Sequence, residues 1–192
     1  MRRLVVSEFV TVDGVMDGPG GEPTAPRAGW AFQFDRGEDG NQFKLDELMA
    51  SDALLLGRVT YEGFAKAWPG RSDDQGFADK FNSMTKYVVS STLTEPLEWA
   101  NSHLLKGDLV EEVTKLKQQD GGAIMVNGSC QLVHALADHD LVDAYHLMVF
   151  PTVLGAGKRM FADTAEAMSL RLTEVKPVGP EGVLTVVYER AR

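Results

Sequence analysis

The chain has 192 residues, of which 44% are hydrophobic and 24% charged, and its formal net charge is −9. A chain of this length can bury a sizeable core, and its composition excludes a disordered polar segment, a collagenous repeat and a membrane bundle. The longest apolar runs contain a few residues, whereas a membrane-spanning helix needs about 20. The acidic excess, with no Lys/Arg run longer than two residues, disfavours binding to nucleic acid or to an anionic membrane.

The N-terminal residues and the cysteine content favour a cytoplasmic protein. Met1-Arg2-Arg3 is not followed by the apolar core of a cleavable signal, because Glu8 and Asp13 come soon after. Cys130 is the one cysteine of the chain, so no intramolecular disulfide can form, as is typical of a reducing compartment. We expect residues 1–192 to form a single domain.

Residues 4–12 are rich in β-formers and alternate with polar residues, which predicts a first strand ending at Asp13-Gly14. A loop then reaches about Gly40. A loop of this length inside a compact domain is usually functional. Because it carries Trp30 and two phenylalanines, we expect part of it to pack down as a lid.

Beyond the loop, predicted helices and strands alternate. Apolar spacing predicts helices near residues 43–49, 61–68, 77–84, 109–116 and 132–136, and strands at 53–56, 87–90, 124–126 and 145–150. Two alternating runs, 170–175 and 183–188, predict a hairpin. The pattern is typical of an α/β domain with a mostly parallel central sheet and antiparallel C-terminal strands.

Gly57-Arg58-Val59-Thr60 is the first candidate for a binding site. Glycine lets the chain turn sharply after a strand, and the following helix presents unpaired N–H groups and the positive end of its dipole to a phosphate. Arg58 could bind a second phosphate through two hydrogen bonds. The alternative is an ordinary strand-to-helix turn with a surface arginine.

Asn127-Gly128-Ser129 repeats this arrangement after a later strand and is a second candidate phosphate cradle. Ser90-Ser91-Thr92 ends a third strand and could donate hydroxyl groups, and the backbone of Gly155-Ala156-Gly157 could approach a ligand closely. Parallel α/β sheets bind ligands at the carboxyl ends of their strands, so these segments are expected to share one edge. The alternatives are polar residues leaving a sheet and a flexible connection.

Asp13 is the acidic residue that stands out, because it ends a strand at the mouth of the long loop. A role in binding substrate and a role in capping a turn are both open. The four histidines lack metal-ligand spacing, so no metal site is expected, and no serine lies in a G-x-S-x-G turn. Cys130 has no evident histidine partner and is expected to pack inside its helix.

Several segments together resemble the dihydrofolate reductase superfamily, and more closely the C-terminal reductase domain of bifunctional riboflavin-biosynthesis proteins and its stand-alone relatives. The resemblance covers nearly the whole chain, and the segments that carry it are Thr11-Val12-Asp13-Gly14, Leu56-Gly57-Arg58-Val59-Thr60-Tyr61-Glu62, Val88-Val89-Ser90-Ser91-Thr92, Ile124-Met125-Val126-Asn127-Gly128-Ser129, Leu141-Val142-Asp143 and Phe150-Pro151-Thr152-Val153-Leu154-Gly155-Ala156-Gly157. The resemblance implies a three-layer dihydrofolate-reductase-like domain that binds NADPH. We also expect a homodimer, because the strand at 145–150 and the C-terminal hairpin carry much apolar character for an edge of a sheet, and the resemblance implies pairing through this part of the fold.

The resemblance implies that the cofactor is bound by Gly57, Arg58, Thr60, Ser90, Ser91, Gly128 and Ser129. From the residues themselves we add Asn127, Gly155 and Gly157 to the cofactor site, and we expect Asp13 and Trp30 on the substrate side. The chain lacks the Leu-Pro-Trp segment and the following carboxylate of dihydrofolate reductases. Asp35, Asp39 and Asp46 are therefore candidates for proton transfer by proximity alone. The chain has Asn127-Gly128-Ser129 where riboflavin reductases usually have an acidic residue and two glycines.

We therefore expect an NADPH-dependent oxidoreductase that reduces a pyrimidine- or pterin-like small molecule. The family default is 5-amino-6-(5-phosphoribosylamino)uracil reductase activity in riboflavin biosynthesis. Dihydrofolate reduction, a cofactor-binding protein without turnover and a purely structural homodimer module are the alternatives.

Overall fold

The structure is a computed structural model that describes residues 1–21, 25, 27–161 and 167–191. Across these residues, eight strands form one sheet in the order β4-β3-β2-β5-β1-β6-β8-β7. The strands are β1 (Leu4–Thr11), β2 (Ser51–Gly57), β3 (Thr85–Val89), β4 (Ser102–Leu105), β5 (Ala123–Val126), β6 (Ala144–Phe150), β7 (Leu170–Val178) and β8 (Val183–Arg190). The helices are α1 (Gly37–Met49), α2 (Arg58–Ala67), α3 (Phe77–Ser83), α4 (Leu109–Gln118) and α5 (Cys130–Asp138).

The sheet confirms the predicted fold class. Strands β1 to β6 pair in parallel, whereas β8 runs antiparallel to both β6 and β7. Strand β4 was not predicted, because its four residues Ser102–Leu105 are too few to show an alternating pattern, and its pairing with β3 defines it.

Helices cover both faces of the sheet. Leu48 of α1 and Tyr61 of α2 pack in one apolar cluster with Leu54 and Leu56 of β2. Residues of α4 and α5 pack against the opposite face in a separate cluster that includes Val6, Leu55 and Val126. The domain therefore has three layers, with α1, α2 and α3 on one side and α4 and α5 on the other.

A topological switch point lies between β2 and β5, which are neighbours in the sheet. The chain leaves β2 into α2 on one face and leaves β5 into α5 on the other. A crevice therefore opens at the carboxyl ends of these two strands, which is where open α/β sheets bind ligands.

The segment after β1 is more ordered than a loop reaching Gly40. It contains a 3₁₀ turn at Trp30–Gln33, and α1 begins at Gly37. Trp30 is 2% exposed and packs edge-on against Phe150 with ring centroids 5.3 Å apart, so this part of the segment closes over the sheet as predicted.

Strand β6 lies in the interior of the sheet between β1 and β8, so the expectation that residues 145–150 form an edge is wrong. The edge strand on this side of the sheet is β7, and β4 forms the other edge. No helix among the described residues combines the length and the apolar character needed to cross a membrane.

Candidate functional site

The N-termini of α2 and α5 meet at the switch point. Gly57 precedes α2 and Ser129 precedes α5, and neither helix has a side-chain cap. By contrast, Asp108 caps α4 by accepting a hydrogen bond from the N–H of Glu111 at 3.0 Å. Uncapped N–H groups and the positive ends of two helix dipoles therefore face the same crevice, an arrangement that attracts an anion.

The two turns are in direct contact. The N–H of Gly57 donates to the carbonyl of Gly128 at 3.2 Å. A Cβ at Gly57 would lie 2.2 Å from Oγ of Ser129, and one at Gly128 would lie 2.8 Å from Oγ1 of Thr60. Gly128 also has a φ of +83°, a conformation that disfavours side chains. The absence of a side chain at both positions therefore permits the two turns to pack together.

Arg58 and Ser90 lie side by side beyond the paired ends of β2 and β3. Gly57 is in register with Val89, so the next residue of each strand lies at the same edge. The guanidinium of Arg58 is exposed and pairs with Glu62, 3.0 Å away. Ser90 is buried, and its Oγ accepts the backbone N–H groups of Thr92 and Leu93 at 3.1 and 3.0 Å. Ser91 is exposed.

Asn127 connects the α5 turn to β1. Its Nδ2 donates to the carbonyl oxygen of Ser7 at 2.8 Å, which fixes the amide beside the end of β5. Its Oδ1 is buried and has no hydrogen-bond partner among the described residues. A buried acceptor of this kind is suited to a ligand donor, because its desolvation is otherwise uncompensated.

Asp13 is held by its own neighbourhood. Its carboxylate accepts the hydroxyl of Thr11 at 2.6 Å and the N–H groups of Leu154 and Gly155 at 3.3 and 2.8 Å. The Thr11 hydroxyl, followed by the Gly155 N–H, lowers the pKa of Asp13 to about 2. These contacts are those of a residue that positions the segment at 154–155.

Gly157 continues the same segment. A Cβ there would lie 2.7 Å from Cγ1 of Val15, so the glycine permits close packing against the chain that follows β1. Trp30, the other predicted substrate-side residue, donates from Nε1 to the carbonyl of Asp17 at 2.9 Å. Its ring lies in the apolar cluster under the loop.

A buried polar cluster was missed by the sequence analysis. It consists of Ser7 on β1, Lys44 and Glu47 on α1, and His146 on β6. Lys44 Nζ donates to Ser7 Oγ, which donates to Glu47 Oε1, both at 2.5 Å. Lys44 also forms an ion pair with Glu47, and His146 Nδ1 lies 3.4 Å from Glu47 Oε2.

Electrostatics favours a charged Glu47 in this polar cluster. Burial raises the pKa of Glu47, but the charge of Lys44, the nearby His146 and the contacts from Lys44 and Ser7 outweigh it, so the pKa is lowered. A signal for this cluster was present in the sequence. Glu47 comes four residues after Phe43, which places it on the same inward face of α1, and Lys44 comes three residues before Glu47, where the two side chains can pair.

The three aspartates named by proximity lie outside this cluster. Asp35 accepts the N–H of Gly37 at 2.8 Å, and Asp46 accepts an amide of Gln42 at 2.7 Å. Asp39 forms an exposed ion pair with Lys176 at 3.1 Å. None of them contacts the polar cluster.

Cys130 has a histidine partner, contrary to expectation. Its Sγ lies 3.3 Å from Nε2 of His134, and both atoms contact the carbonyl oxygen of Arg159, at 3.2 and 2.9 Å. His134 lies one helical turn from Cys130, a spacing that places two side chains on the same face of a helix, and this signal was missed. Burial raises the pKa of the Cys130 thiol. The contacts of Cys130 and His134 with the carbonyl oxygen of Arg159 tie the start of α5 to the segment at 159.

Two surface depressions lie elsewhere. One of about 380 Å³ is lined by both chain ends near Arg2 and Arg190, and one of about 600 Å³ lies beside residues 95–103. Neither depression includes the turns at Gly57 and Gly128. The switch-point site is therefore defined by its two helix termini and their glycines.

Comparison with known proteins identifies the family. Residues 2–184 match the RibD C-terminal domain. The chain is also 28% identical over 190 residues to YyaP, an uncharacterized protein of Bacillus subtilis, and the match covers 97% of this chain and 94% of that one.

Two solved structures show the same fold. The protein solved from Shewanella sp. PV-4 under the name "Putative riboflavin biosynthesis protein" superposes with a TM-score of 0.77 at 20% identity, over 99% of both chains. Dihydrofolate reductase of Enterococcus faecalis, solved with NADP(H), superposes with a TM-score of 0.59 at 16% identity, over 99% of this chain and 97% of that one. The dihydrofolate-reductase-like fold is thus confirmed, and the chain belongs to the RibD C-terminal domain family.

Proposed function

We propose that this chain is an NADPH-dependent reductase of a pyrimidine-like substrate, with 5-amino-6-(5-phosphoribosylamino)uracil as the first candidate. The observation that carries the proposal is the meeting of two uncapped helix N-termini at the switch point between β2 and β5. Family membership in the RibD C-terminal domain supports the reductase class.

The residues present fit a dinucleotide. The two turns pack together at Gly57 and Gly128, and the first backbone N–H groups of α2 and α5 have no side-chain cap. These groups can donate to a pyrophosphate. Arg58 is exposed beside Ser90 and Ser91, where a charged donor and hydroxyls can bind a 2′-phosphate. The buried Oδ1 of Asn127 is an acceptor for an amide or hydroxyl donor of the cofactor. When bound, the nicotinamide would supply the hydride.

On the substrate side, we propose that Asp13 and Trp30 shape the pocket through the segments they hold. Asp13 fixes the backbone at 154–155 through two N–H groups. Trp30 anchors the 3₁₀ turn against Phe150. Gly155 and Gly157 then give a stretch of bare backbone beside Asp13 and Val15.

Two measurements test this function. Isothermal titration calorimetry should show that NADPH binds more tightly than NADH, because Arg58 adds a charged contact to the 2′-phosphate. NADPH oxidation, followed by absorbance, should occur with 5-amino-6-(5-phosphoribosylamino)uracil and be weaker or absent with dihydrofolate. Equal binding of the two cofactors, or no binding, would contradict the proposal.

A further inference from the structure

The polar cluster of Ser7, Lys44, Glu47 and His146 lies at the same level of the sheet as the α5 turn. Val6 is in register with Val126 on β5, and Ser7 is in register with His146 on β6. Asn127 follows Val126 and donates to Ser7. His146 is therefore two strands from the turn, about 10 Å at ordinary strand spacing.

Stability alone does not account for this cluster. Glu47 and Ser7 are buried, and 14% of the Lys44 side chain is exposed. Replacing a buried ion pair by apolar side chains is often neutral or stabilising. Buried ionisable groups that interact beside a binding crevice are more typical of functional sites.

His146 is the member of the cluster that a ligand can reach. Its side chain is 23% exposed, and its ring lies next to that of Phe43, with centroids 6.0 Å apart. Nδ1 lies 3.4 Å from Oε2 of Glu47, and neither atom forms a hydrogen bond within the described residues. Pairing of Nδ1 with Glu47 would hold the ring and leave Nε2–H to donate to a ligand.

We propose that His146 is the proton donor of the reduction and that Glu47 is the residue that positions it. This inference rests on the proposed function. In the ring-opened imine form of the ribosylamino group, a C=N bond joins C1′ to the amino nitrogen. A hydride with its electron pair adds to C1′, and the π electrons of that bond move to nitrogen. The nitrogen takes the proton from Nε2 of the His146 imidazolium. NADPH is oxidised to NADP⁺, the C=N bond becomes CH–NH, and water reprotonates the imidazole.

The charged groups that face His146 are few within the described residues. Glu47 and Lys44 face it from α1. Its strand partners, Ser7 on β1 and Val187 on β8, carry no charge. The next residue across the sheet, paired with Val187, is Glu174 on β7. The charge that contacts His146 within the described residues is therefore that of Glu47.

The first test compares His146→Gln and Glu47→Gln with His103→Gln, which changes an exposed histidine on β4. We expect His146→Gln to lower kcat 10²- to 10⁴-fold, the usual contribution of general acid catalysis. Glu47→Gln should lower kcat less and leave the KM for the substrate close to the wild-type value. His103→Gln should leave kcat and KM unchanged, and all three variants should bind NADPH with the wild-type Kd.

The second test needs no turnover. We expect 5-amino-6-(5-phosphoribosylamino)uracil, added to the protein saturated with NADP⁺, to shift the imidazole NMR resonances of His146 and not those of His103. NADP⁺ alone should shift them much less. The resonances are assigned by comparison with the two histidine variants.

The outcomes separate this inference from the proposed function. If wild-type protein oxidises NADPH but His146→Gln stays within threefold of its kcat, or the His146 resonances do not shift, the role of His146 is overturned and the reductase function stands. If calorimetry shows that the wild type does not bind NADPH, the proposed function fails and this inference fails with it.

Discussion

Arg58 and Glu62 form an ion pair across one turn of α2, with Nη1 of Arg58 3.0 Å from Oε2 and 3.2 Å from Oε1 of Glu62. Both side chains are exposed, so the pair contributes little to stability. We propose that the guanidinium of Arg58 binds a 2′-phosphate, so the carboxylate of Glu62 competes with that phosphate for the same group.

The first prediction is that Arg58→Ala weakens NADPH binding by roughly 1.5–3 kcal/mol, the range for hydrogen bonds to charged groups. NADH binding should barely change, because NADH has no 2′-phosphate. Calorimetry with both cofactors measures the difference. An equal loss for NADH would assign Arg58 to the pyrophosphate or to helix stability.

The second prediction is that Glu62→Gln tightens NADPH binding by roughly 0.2–1 kcal/mol, the range for an exposed ion pair. The substitution removes an anion that competes with the phosphate for Arg58. Glu112→Gln, which breaks the ion pair of a half-buried carboxylate with Lys115 on α4, is the control and should leave the NADPH Kd unchanged. Weaker binding in Glu62→Gln would mean that Glu62 orients Arg58 instead.

The third prediction concerns the contact between the two turns. Gly57→Ala should lower the free energy of unfolding by roughly 1–3 kcal/mol, the usual cost of overpacking, because the new Cβ would lie 2.2 Å from Oγ of Ser129. NADPH binding should weaken too, since the turns must move apart. Thermal denaturation and calorimetry test these effects.

Gly63→Ala is the matched control for that substitution. Gly63 lies within α2, and nothing is within 4 Å of a Cβ placed there. Alanine should stabilise this helix by roughly 0.5–1 kcal/mol and leave NADPH binding unchanged. If Gly57→Ala behaved like Gly63→Ala, the close contact of the turns would not matter for binding.

The fourth prediction concerns Asp13. Its pKa falls from 3.8 to about 2 in the folded protein, through the hydroxyl of Thr11 and the N–H of Gly155. Because the folded value is the lower one, the contribution of Asp13 to stability is complete above pH 3.8 and is lost as pH falls through about 2. Asp13→Asn should lower the Tm at neutral pH and flatten the dependence of Tm on pH in this window.

Kinetics decide whether Asp13 also affects the substrate. A raised KM with an unchanged Kd for NADPH would place the segment at 154–155 beside the substrate. A lower Tm with intact turnover would assign Asp13 to structure alone. The exposed Asp74 gives the control, Asp74→Asn, which should change neither measurement.

The fifth prediction is a homodimer that pairs through β7. Leu172 and Val175 are 50% and 52% exposed on this edge strand, and a bulge between 172 and 174 places both on the same face, opposite Tyr188 and Val186. Exposed apolar edges are usually covered. Sedimentation at micromolar concentration should give twice the 21.0 kDa mass of the chain, and Leu172→Glu should give a monomer. A monomeric wild type would contradict this.

Local features of the sequence were sufficient for much of the fold and for the cofactor turns. The alternation of residues 4–12 predicts β1. Gly57 at the end of β2 and Gly128 shortly after β5 predict where α2 and α5 begin. These signals depend on residues close together in the chain, so backbone preferences and apolar periodicity express them directly. The C-terminal hairpin was predictable for the same reason.

The tertiary structure decided which distant side chains meet. Ser7, Glu47 and His146 come together because β1 pairs with β6 and α1 packs over both, and none of this is encoded in their spacing along the chain. The same holds for Asp13, whose partners at 154–155 arrive from beyond β6. Sequence determined the elements and their polar ends by local preference, whereas strand order and helix face determined which of those ends form a site.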